Sequence, residues 1–238
     1  MGKRLKEVFC EKCPVADKTH LIKLDNADLS YLNDQKKVLN FRKSQKVIEE
    51  GNKPAGVFCL REGKLKVYKQ GQDHKDHITR FLLPGDFLGL RAIISGNPYS
   101  HSAAAIEDST ACFIPKSDFF QLMIKYPDFA RHLIEYLSKL LEEAEKKMTN
   151  LAQLPVKSRL AETLLFLHQT FHGPASDPSV DYLNLTRSDL ANIIGTAQET
   201  VIRVLAEFRD DKMIALKGRK IYILNVEKLQ KIALNNDD

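Results

Sequence analysis

The stretch Leu185–Phe208, LTRSDLANIIGTAQETVIRVLAEF, decides the reading of the chain. Leu190, Ala191, Ile194, Gly195, Val201 and Val204 are small or apolar at the spacing of two short helices joined by a tight turn. Ala191 is small where the helices meet, Gly195 supplies a turn backbone with positive φ, and Val201 buries the second helix against the first. Thr186 with Asp189 three residues on predicts a capping box, so the start of the first helix is signalled independently. Gln198, Glu199, Ile202 and Arg203 are left on the outer face of the second helix. Arginine pairs with guanine O6 and N7, glutamate accepts from cytosine N4, and isoleucine suits a thymine methyl. Thr196 and Thr200 suit phosphate oxygens, and the first turn of each helix, with Thr186 and Ser188 in the earlier one, is a natural backbone clamp for phosphate. These residues predict a helix that reads double-stranded DNA.

Working outward, Met213–Leu224 reads as a hairpin beside that helix, a wing by pattern. Its Lys217 and Arg219, with Lys212 and Lys220, form the local basic cluster that can meet phosphates. Net charge does not make the argument. The chain carries +5, but residues 155–238 hold 11 Lys/Arg and 11 Asp/Glu, and the excess lies in residues 1–154, 25 against 20. Upstream, Pro155 ends one helix and opens another, Val156–Phe171, after which residues 173–179 read as a loop and the terminal Asp237–Asp238 as a disordered tail.

The helix after Pro127 is long. Ile134, Leu137, Leu141, Ala144, Met148 and Leu151 recur in alternating steps of three and four, while Phe129, Leu133, Tyr136 and Leu140 mark a second stripe. One helix with two apolar faces needs two partners, so the first stripe predicts pairing with a second copy and the second stripe predicts packing on the preceding domain. A homodimer would place two reading helices about one DNA turn apart, hence a near-palindromic operator.

Between Asp25 and Tyr126 short β patterns alternate with glycine turns. Residues 36–50 predict two strands, Val57–Tyr68 a hairpin around Glu62-Gly63, His77–Leu83 a strand stopped by Pro84-Gly85-Asp86, and Ala103–Ile114 a last strand. Many short strands with regular turns mean a rolled antiparallel sheet. The expected fold is therefore α+β: a segment 1–24 bearing two cysteines, a β-roll over 25–126, a dimerisation helix over 127–154, and a winged helix-turn-helix over 155–238.

The segment from Gly195 to Arg203, the glycine turns upstream and the order of segments together resemble the Crp/Fnr superfamily of bacterial transcription regulators over nearly the whole length. The resemblance implies that Glu199 and Arg203 stand at base-reading positions. Gln198 replaces an arginine of the cyclic-AMP receptor branch and Ile202 a serine of the oxygen-sensing branch, so the half-site should differ from both. It also implies a jelly-roll sensor domain in which Pro84–Gly89 and Gly96–Ser100 correspond to the phosphate-binding cassette, with Gly85, Gly89, Leu90, Tyr99 and Ser100 about the effector pocket. In the nucleotide-binding branches an arginine stands where this chain has Tyr99 and a glutamate where it has Leu90; Arg91 is adjacent and is expected on the opposite face of a strand. A buried phosphate would be left uncompensated, so cyclic-AMP binding is not expected, and the glycines read mainly as turns.

Cys10 and Cys13, with two residues between them, can grip one metal, form a redox disulfide or hold two corners of an iron–sulfur cluster. Resemblance to the oxygen-sensing branch matches them to the first two cluster ligands and Cys112 to the distant one, but Thr19 stands at the third, leaving Asp17, Thr19 or His20 as substitutes. Cys59 falls in a strand pattern and reads as an ordinary core or surface residue.

No nucleophile elbow, phosphate loop or zinc-protease helix occurs, and of seven histidines only His74 and His77 are close, on a charged turn where they read as surface residues. An enzyme is not expected. No window of about eighteen apolar residues exists, and the basic start is followed by no apolar run, which predicts a cytoplasmic protein with neither membrane span nor secretory leader. The sequence reading is thus a homodimeric DNA-binding regulator whose β-roll senses an unidentified signal and biases a hinge near residues 152–155, with RNA polymerase as partner if it activates. The alternatives are an iron–sulfur or thiol redox-sensing regulator, and a β-roll interaction module that no longer reads DNA.

Overall fold

Residues 9–19, 21, 24–70, 76–172 and 182–234 are described by a computed structural model, in which the chain forms two compact units, Met1–Lys69 with Ile78–Leu140 and Gln70–His77 with Leu141–Asp238. The loop at 173–179, His20, His74 and the acidic tail lie outside the described residues.

The first unit opens with a single 3-10 turn, Cys10–Lys12, then α1 (Ala16–Thr19) and α2 (Asn26–Gln35). The strands follow as β1 (Lys37–Phe41), β2 (Lys46–Ile48), β3 (Gly56–Glu62), β4 (Leu65–Gln70), β5 (Asp76–Leu82) and β6 (Phe87–Leu88). After α3 (Leu90–Ser95) come β7 (Ser102–Ala105), β8 (Ser109–Pro115), α4 (Lys116–Lys125) and the long α5 (Pro127–Gln153). Two four-stranded sheets result, in the orders β1-β8-β3-β6 and β2-β7-β4-β5. The register of β3 on β8 sets Val57 opposite Ile114, Phe58 opposite Phe113 and Cys59 opposite Cys112, while β1 sets Val38 opposite Cys112 from the other side.

The rolled antiparallel sheet agrees with the glycine-punctuated pattern, except that Val57–Tyr68 is not a hairpin, since β3 and β4 turn at Gly63 into different sheets, and with three further corrections. Ala103–Ile114 is two strands, because the chain turns at Glu107-Asp108, where the Ser109 hydroxyl donates to the Glu107 carbonyl at 2.8 Å and the Lys64 amide donates to that hydroxyl at 3.2 Å. Residues 26–35 form a helix, started by Asp25, whose carboxylate accepts from the Asp28 amide at 2.8 Å. The third correction bears on the cassette: Leu90–Ser95 is helical, flanked by Gly89 at φ 90° and Gly96 at φ 72°, two left-handed positions that suit glycine.

Two apolar clusters fill this unit. Phe41, Phe58, Leu60, Leu65, Leu82, Tyr99 and Ala103 make one. Cys10, Leu32, Cys59, Phe87, Leu90, Cys112 and Phe119 make the other, joined by Phe129 and Leu133 of α5, so the first half of the predicted inner stripe is buried there; Tyr136 is half-buried against the cluster and Leu140 is not part of it.

The second unit comprises the last turns of α5, α6 (Val156–His172), β9 (Leu183–Asn184), α7 (Arg187–Ile194), α8 (Gln198–Asp210), β10 (Ile214–Lys217), β11 (Lys220–Ile223) and α9 (Val226–Ala233). The three strands pair antiparallel in the order β10-β11-β9 and form the wing. Leu160, Leu164 and Leu167 of α6 are fully buried, as are Leu190, Val201 and Phe208 of the two short helices. Among the described residues no helix is long and apolar enough to cross a membrane.

Candidate functional site

Local chemistry builds α8 where the sequence places the second helix of the pair. Thr186 caps α7: its hydroxyl accepts from the Asp189 amide at 2.9 Å, while the Thr186 amide donates to the Asp189 carboxylate at 3.2 Å. Gly195 ends α7 at φ 66°, ψ 55°. α8 then buries Val201, Val204, Leu205 and Phe208 and turns Gln198, Glu199, Ile202 and Arg203 to solvent.

The predicted phosphate groups differ in readiness. The Thr186 hydroxyl is committed to its cap and also donates to Asp189 at 2.7 Å, so only backbone in that turn is available. Ser188, Thr196 and Thr200 are half-buried on the rim. Ala197, the N-cap of α8, offers no side-chain bond, which leaves the first amides of that helix without a capping side chain. Lys217 and Arg219 are exposed on the wing, and Lys217 lies over the Tyr222 ring at 5.6 Å.

Two contacts were not legible beforehand. Arg203 pairs with Glu207 at 2.9 Å one helical turn on, which holds the guanidinium beside the reading face. Arg187 donates to the Gly218 carbonyl at 3.2 Å and so ties the start of α7 to the wing turn, while its Nη1 is buried without an acceptor among the described residues; burial lowers its pKa.

On α5, Ile134, Leu141 and Met148 are 63%, 61% and 63% exposed, large apolar side chains one above another that the described residues of a single chain leave uncovered. Ala144 and Leu151 are exposed in the same row, whereas Leu137 is half-buried against the β-roll core. Leu151 also reaches the helix-turn-helix turn, its Cδ2 lying 3.0 Å from where a Cβ on Gly195 would sit.

In the cassette, Leu90 and Tyr99 are both buried core residues, Leu90 in the cluster with the cysteines and Tyr99 in the other. The Tyr99 ring stands 3.3 Å from the position a Cβ on Gly89 would take, so the protein's own side chain fills the space beside that turn. Gly85 is at φ 103° and Ser100 is exposed. The expectation for Arg91 is corrected: because Leu90–Ser95 is a helix, the two-residue alternation of a strand does not apply. Its Nη2 donates to the Ser100 hydroxyl at 2.5 Å and lies 3.1 Å from Nδ1 of His101.

The fourth arrangement is a pocket lined by thiols. Cys10, Cys13 and Cys112, from distant parts of the sequence, line one narrow cavity of about 20 Å³, and Cys59 lines it with them. Cys59 is a buried core residue on β3, as its strand pattern predicts, and its register opposite Cys112 places both on one face. Lys36 is buried there too, its ammonium donating to Cys10 Sγ at 2.9 Å and to Asn33 Oδ1 at 2.6 Å. Burial pushes the Cys59 thiol well up and Cys112 up to about 11; it raises Cys10 as well, against the opposing pull of Lys36. Thr19, the residue at the third cluster position, is buried and donates its hydroxyl to the Ala16 carbonyl at 2.9 Å, so it is engaged locally; Asp17 is exposed. All four cysteines are free thiols, and among the described residues no three His, Cys, Asp or Glu side chains are already grouped as a metal site. The four sulfurs share that lining with the Lys36 ammonium and with Arg61, whose Nε is buried with no acceptor among the described residues and whose Nη2 reaches Glu62 at 3.1 Å.

Residues 38–126 match the cyclic nucleotide-binding domain family and residues 158–232 the Crp-like helix-turn-helix domain family. The fumarate and nitrate reduction regulatory protein of Escherichia coli K12 is 28% identical over 229 residues, 95% of this chain and 90% of that protein. The transcriptional activator protein Anr of Pseudomonas protegens is 26% identical over 230 residues, 95% and 93% of the two chains. Among solved structures, FixK2 from Bradyrhizobium japonicum is similar with a TM-score of 0.70 at 25% identity, covering 83% of this chain and 96% of that one. A Crp/Fnr-family transcriptional regulator from Thermus thermophilus, TTHA1359, at 24% identity and a TM-score of 0.72 over 83% and 98% of the chains, shares the fold.

Proposed function

We infer how this chain works from one premise: it belongs to the Crp/Fnr family and is a DNA-binding transcription regulator, not an enzyme. It reads DNA as a homodimer. α8 enters the major groove, Arg203 and Glu199 contact a guanine and a cytosine, Ile202 packs on a thymine methyl, and Gln198 adds an amide contact. The uncapped first turn of α8, the backbone of the α7 start with Ser188, and Thr196, Thr200, Lys217 and Arg219 hold phosphates. The observation that carries this reading is the outward set Gln198, Glu199, Ile202 and Arg203 on a helix whose opposite face is buried.

The uncovered row of Ile134, Leu141 and Met148 supports α5 as the dimer contact, with Ala144 and Leu151 continuing it and Leu137 divided between that contact and its own core. The working division is a β-roll sensor over 25–126, a dimerisation helix over 127–154 and a DNA-binding domain over 155–238, acting on cytoplasmic DNA. RNA polymerase is the partner where the operator is placed for activation. Cyclic AMP is not the expected signal at the β-roll, since buried Leu90 and Tyr99 stand where the resemblance puts its ribose acceptor and phosphate cation.

Selection of binding sites from a randomised duplex pool, with wild type and with Glu199→Ala/Arg203→Ala, tests the reading. Wild type should recover a near-palindrome and the double variant should lose at least about a hundredfold of its preference for it, at about 1–3 kcal/mol per bidentate contact. A variant that recovers the same palindrome with unchanged preference removes these residues from the reading, and a wild type that selects nothing favours the interaction-module alternative.

A further inference from the structure

The apolar cluster that holds Phe58 and Tyr99 is not closed all round. A pocket of about 350 Å³, lined from β2, β3, β8 and the loop after β2, opens on it, with Phe58, Tyr99 and Phe113 at its floor and Lys46, Glu49 and Lys53 at its rim. Of the residues about the expected effector pocket only Tyr99 lines it, so it is a separate place. The Tyr99 ring beside Gly89 is a wall common to the cassette turn and this pocket. The Gly51 amide donates to the Tyr99 carbonyl at 2.8 Å and the Tyr99 amide to the Asn52 carbonyl at 2.9 Å, which holds the rim loop against that wall. A thin edge of core would also present apolar side chains, but three features favour a ligand. Phe58 and Phe113 lie 5.0 Å apart with planes inclined at 56°, and Phe113 is only half-buried, so its ring offers area to a third ring. A Cβ on Gly56 would stand 2.7 Å from the Phe113 ring, so glycine lets that ring lie back on the β3 backbone and keeps the pocket open. Tyr99 is 8% exposed, yet its hydroxyl has no hydrogen-bond partner among the described residues, where a buried phenol ordinarily finds one. Among the described residues Glu49 is the only carboxylate of the lining, and Lys46 takes it at 2.5 Å, so Lys53 leaves the rim with one uncompensated positive charge.

We propose that this pocket binds a small aromatic carboxylate, its ring against Phe58 and Phe113 and its acid group at the Lys53 rim. The volume lies in the range of small-molecule sites, and a few placed polar groups over an apolar floor are what such sites use to fix orientation. The rings select a flat ligand, because edge and offset contacts between π systems add to the area buried. Lysine carries a compact charge on a flexible stem and so meets a carboxylate without demanding one geometry. A cationic ring compound would face Lys53 with like charge, and an aliphatic acid of equal size would forgo the ring contacts. The Tyr99 hydroxyl is left as a donor for an oxygen on the ligand. This gives the β-roll sensor of the proposed function a ligand class, and it rests on that reading only for any effect on DNA; binding is measured on the free chain, so the two fail separately.

The test titrates the full chain, without DNA, with benzoate and naphthoate, and with cyclohexanecarboxylate and benzylamine as controls, by calorimetry and by backbone-amide NMR. The aromatic acids should bind once per chain, about three- to tenfold tighter than cyclohexanecarboxylate, and benzylamine should not bind. Their shifts should centre on residues 46–58, 99 and 113. Lys53→Glu, at an exposed position, should weaken both aromatic acids by about tenfold and allow benzylamine to bind. Phe113→Leu should erase the preference for an aromatic over a saturated ring. Since that variant can disturb the core, Lys53→Glu and the ligand series on wild type carry the test without it. Equal affinity for benzoate and cyclohexanecarboxylate, unchanged affinity in Lys53→Glu, shifts centred on Gly89 and Ser100 instead, or no binding of either aromatic acid at millimolar concentration overturns the proposal.

Discussion

At the scale of single residues, backbone geometry makes the sharpest claims. Gly195 sits at φ 66°, a conformation that costs an L side chain about 1–2 kcal/mol, and an added methyl would stand 3.0 Å from Leu151 Cδ2. Gly195→Ala should therefore destabilise the chain by about 1–2 kcal/mol in urea denaturation; an unchanged midpoint would show that the turn relaxes freely. Thr186→Ala should cost about 1 kcal/mol through loss of the cap to Asp189. His101 offers a titration. Burial first, then the Arg91 guanidinium, hold its pKa below the ordinary 6.5, with Lys69 and Arg80 acting in the same direction and Glu50 opposing. A depressed folded-state pKa favours the neutral ring, so the associated stability is present above pH 6.5 and is lost as pH falls through the lowered value. The ring-proton NMR titration should have its midpoint below 6.5 and move up in Arg91→Ala. No movement would mean that the Arg91 contact with the ring does not persist in solution.

At the scale of elements, the long helix and the reading pair show what a sequence can and cannot disclose. The two stripes of α5 are separable by period alone: Phe129 and Leu133 of one are buried, while Ile134, Leu141 and Met148 of the other are open. Placing a carboxylate in the open stripe, by Leu141→Glu or Met148→Glu, buries an unpaired charge at several kcal/mol in any dimer that uses it. Each should raise the dissociation constant by at least about a hundredfold, since about 1.4 kcal/mol is tenfold. Sedimentation velocity at micromolar concentration checks this, and an undisturbed dimer would place the contact elsewhere. The helix-turn-helix was legible because its signals are local: a cap, a turn glycine and apolar spacing within one stretch. α3 was not, for its six residues lie between two glycines in a segment read as turns, too short to show a period. The nearness of Cys59 to the other cysteines was not legible for a different reason. Which residue it faces depends on the register of β3 on β8, set by strands some fifty residues apart, and no spacing within one strand encodes that. Lys36 and Arg61 were hidden likewise, since burial of a charge appears only after the strands assemble.

At the scale of the whole molecule, charge and symmetry govern recognition. The half proposed to read DNA is neutral, 11 Lys/Arg against 11 Asp/Glu over residues 155–238, so no broad positive field draws it to arbitrary duplex. In the proposed homodimer, selectivity then rests on a few placed contacts per protomer, repeated by a two-fold axis. A symmetric dimer fixes the separation of its two reading helices, and recognition helices that share one face of the duplex need half-sites about 10–10.5 base pairs apart, centre to centre. Inserting about five base pairs between the half-sites of the selected operator rotates one of them by about half a turn to the far side of the duplex. Binding should then fall to that of a single half-site, a loss of at least about a hundredfold if each half contributes about 3 kcal/mol or more. Inverting one half-site at constant spacing should be as damaging, because the second helix would meet its bases in reverse order. Electrophoretic mobility shifts with the original, lengthened and inverted duplexes decide it. Equal affinity for all three would mean that one protomer binds alone, and the apolar row of α5 would then serve some contact other than this dimer.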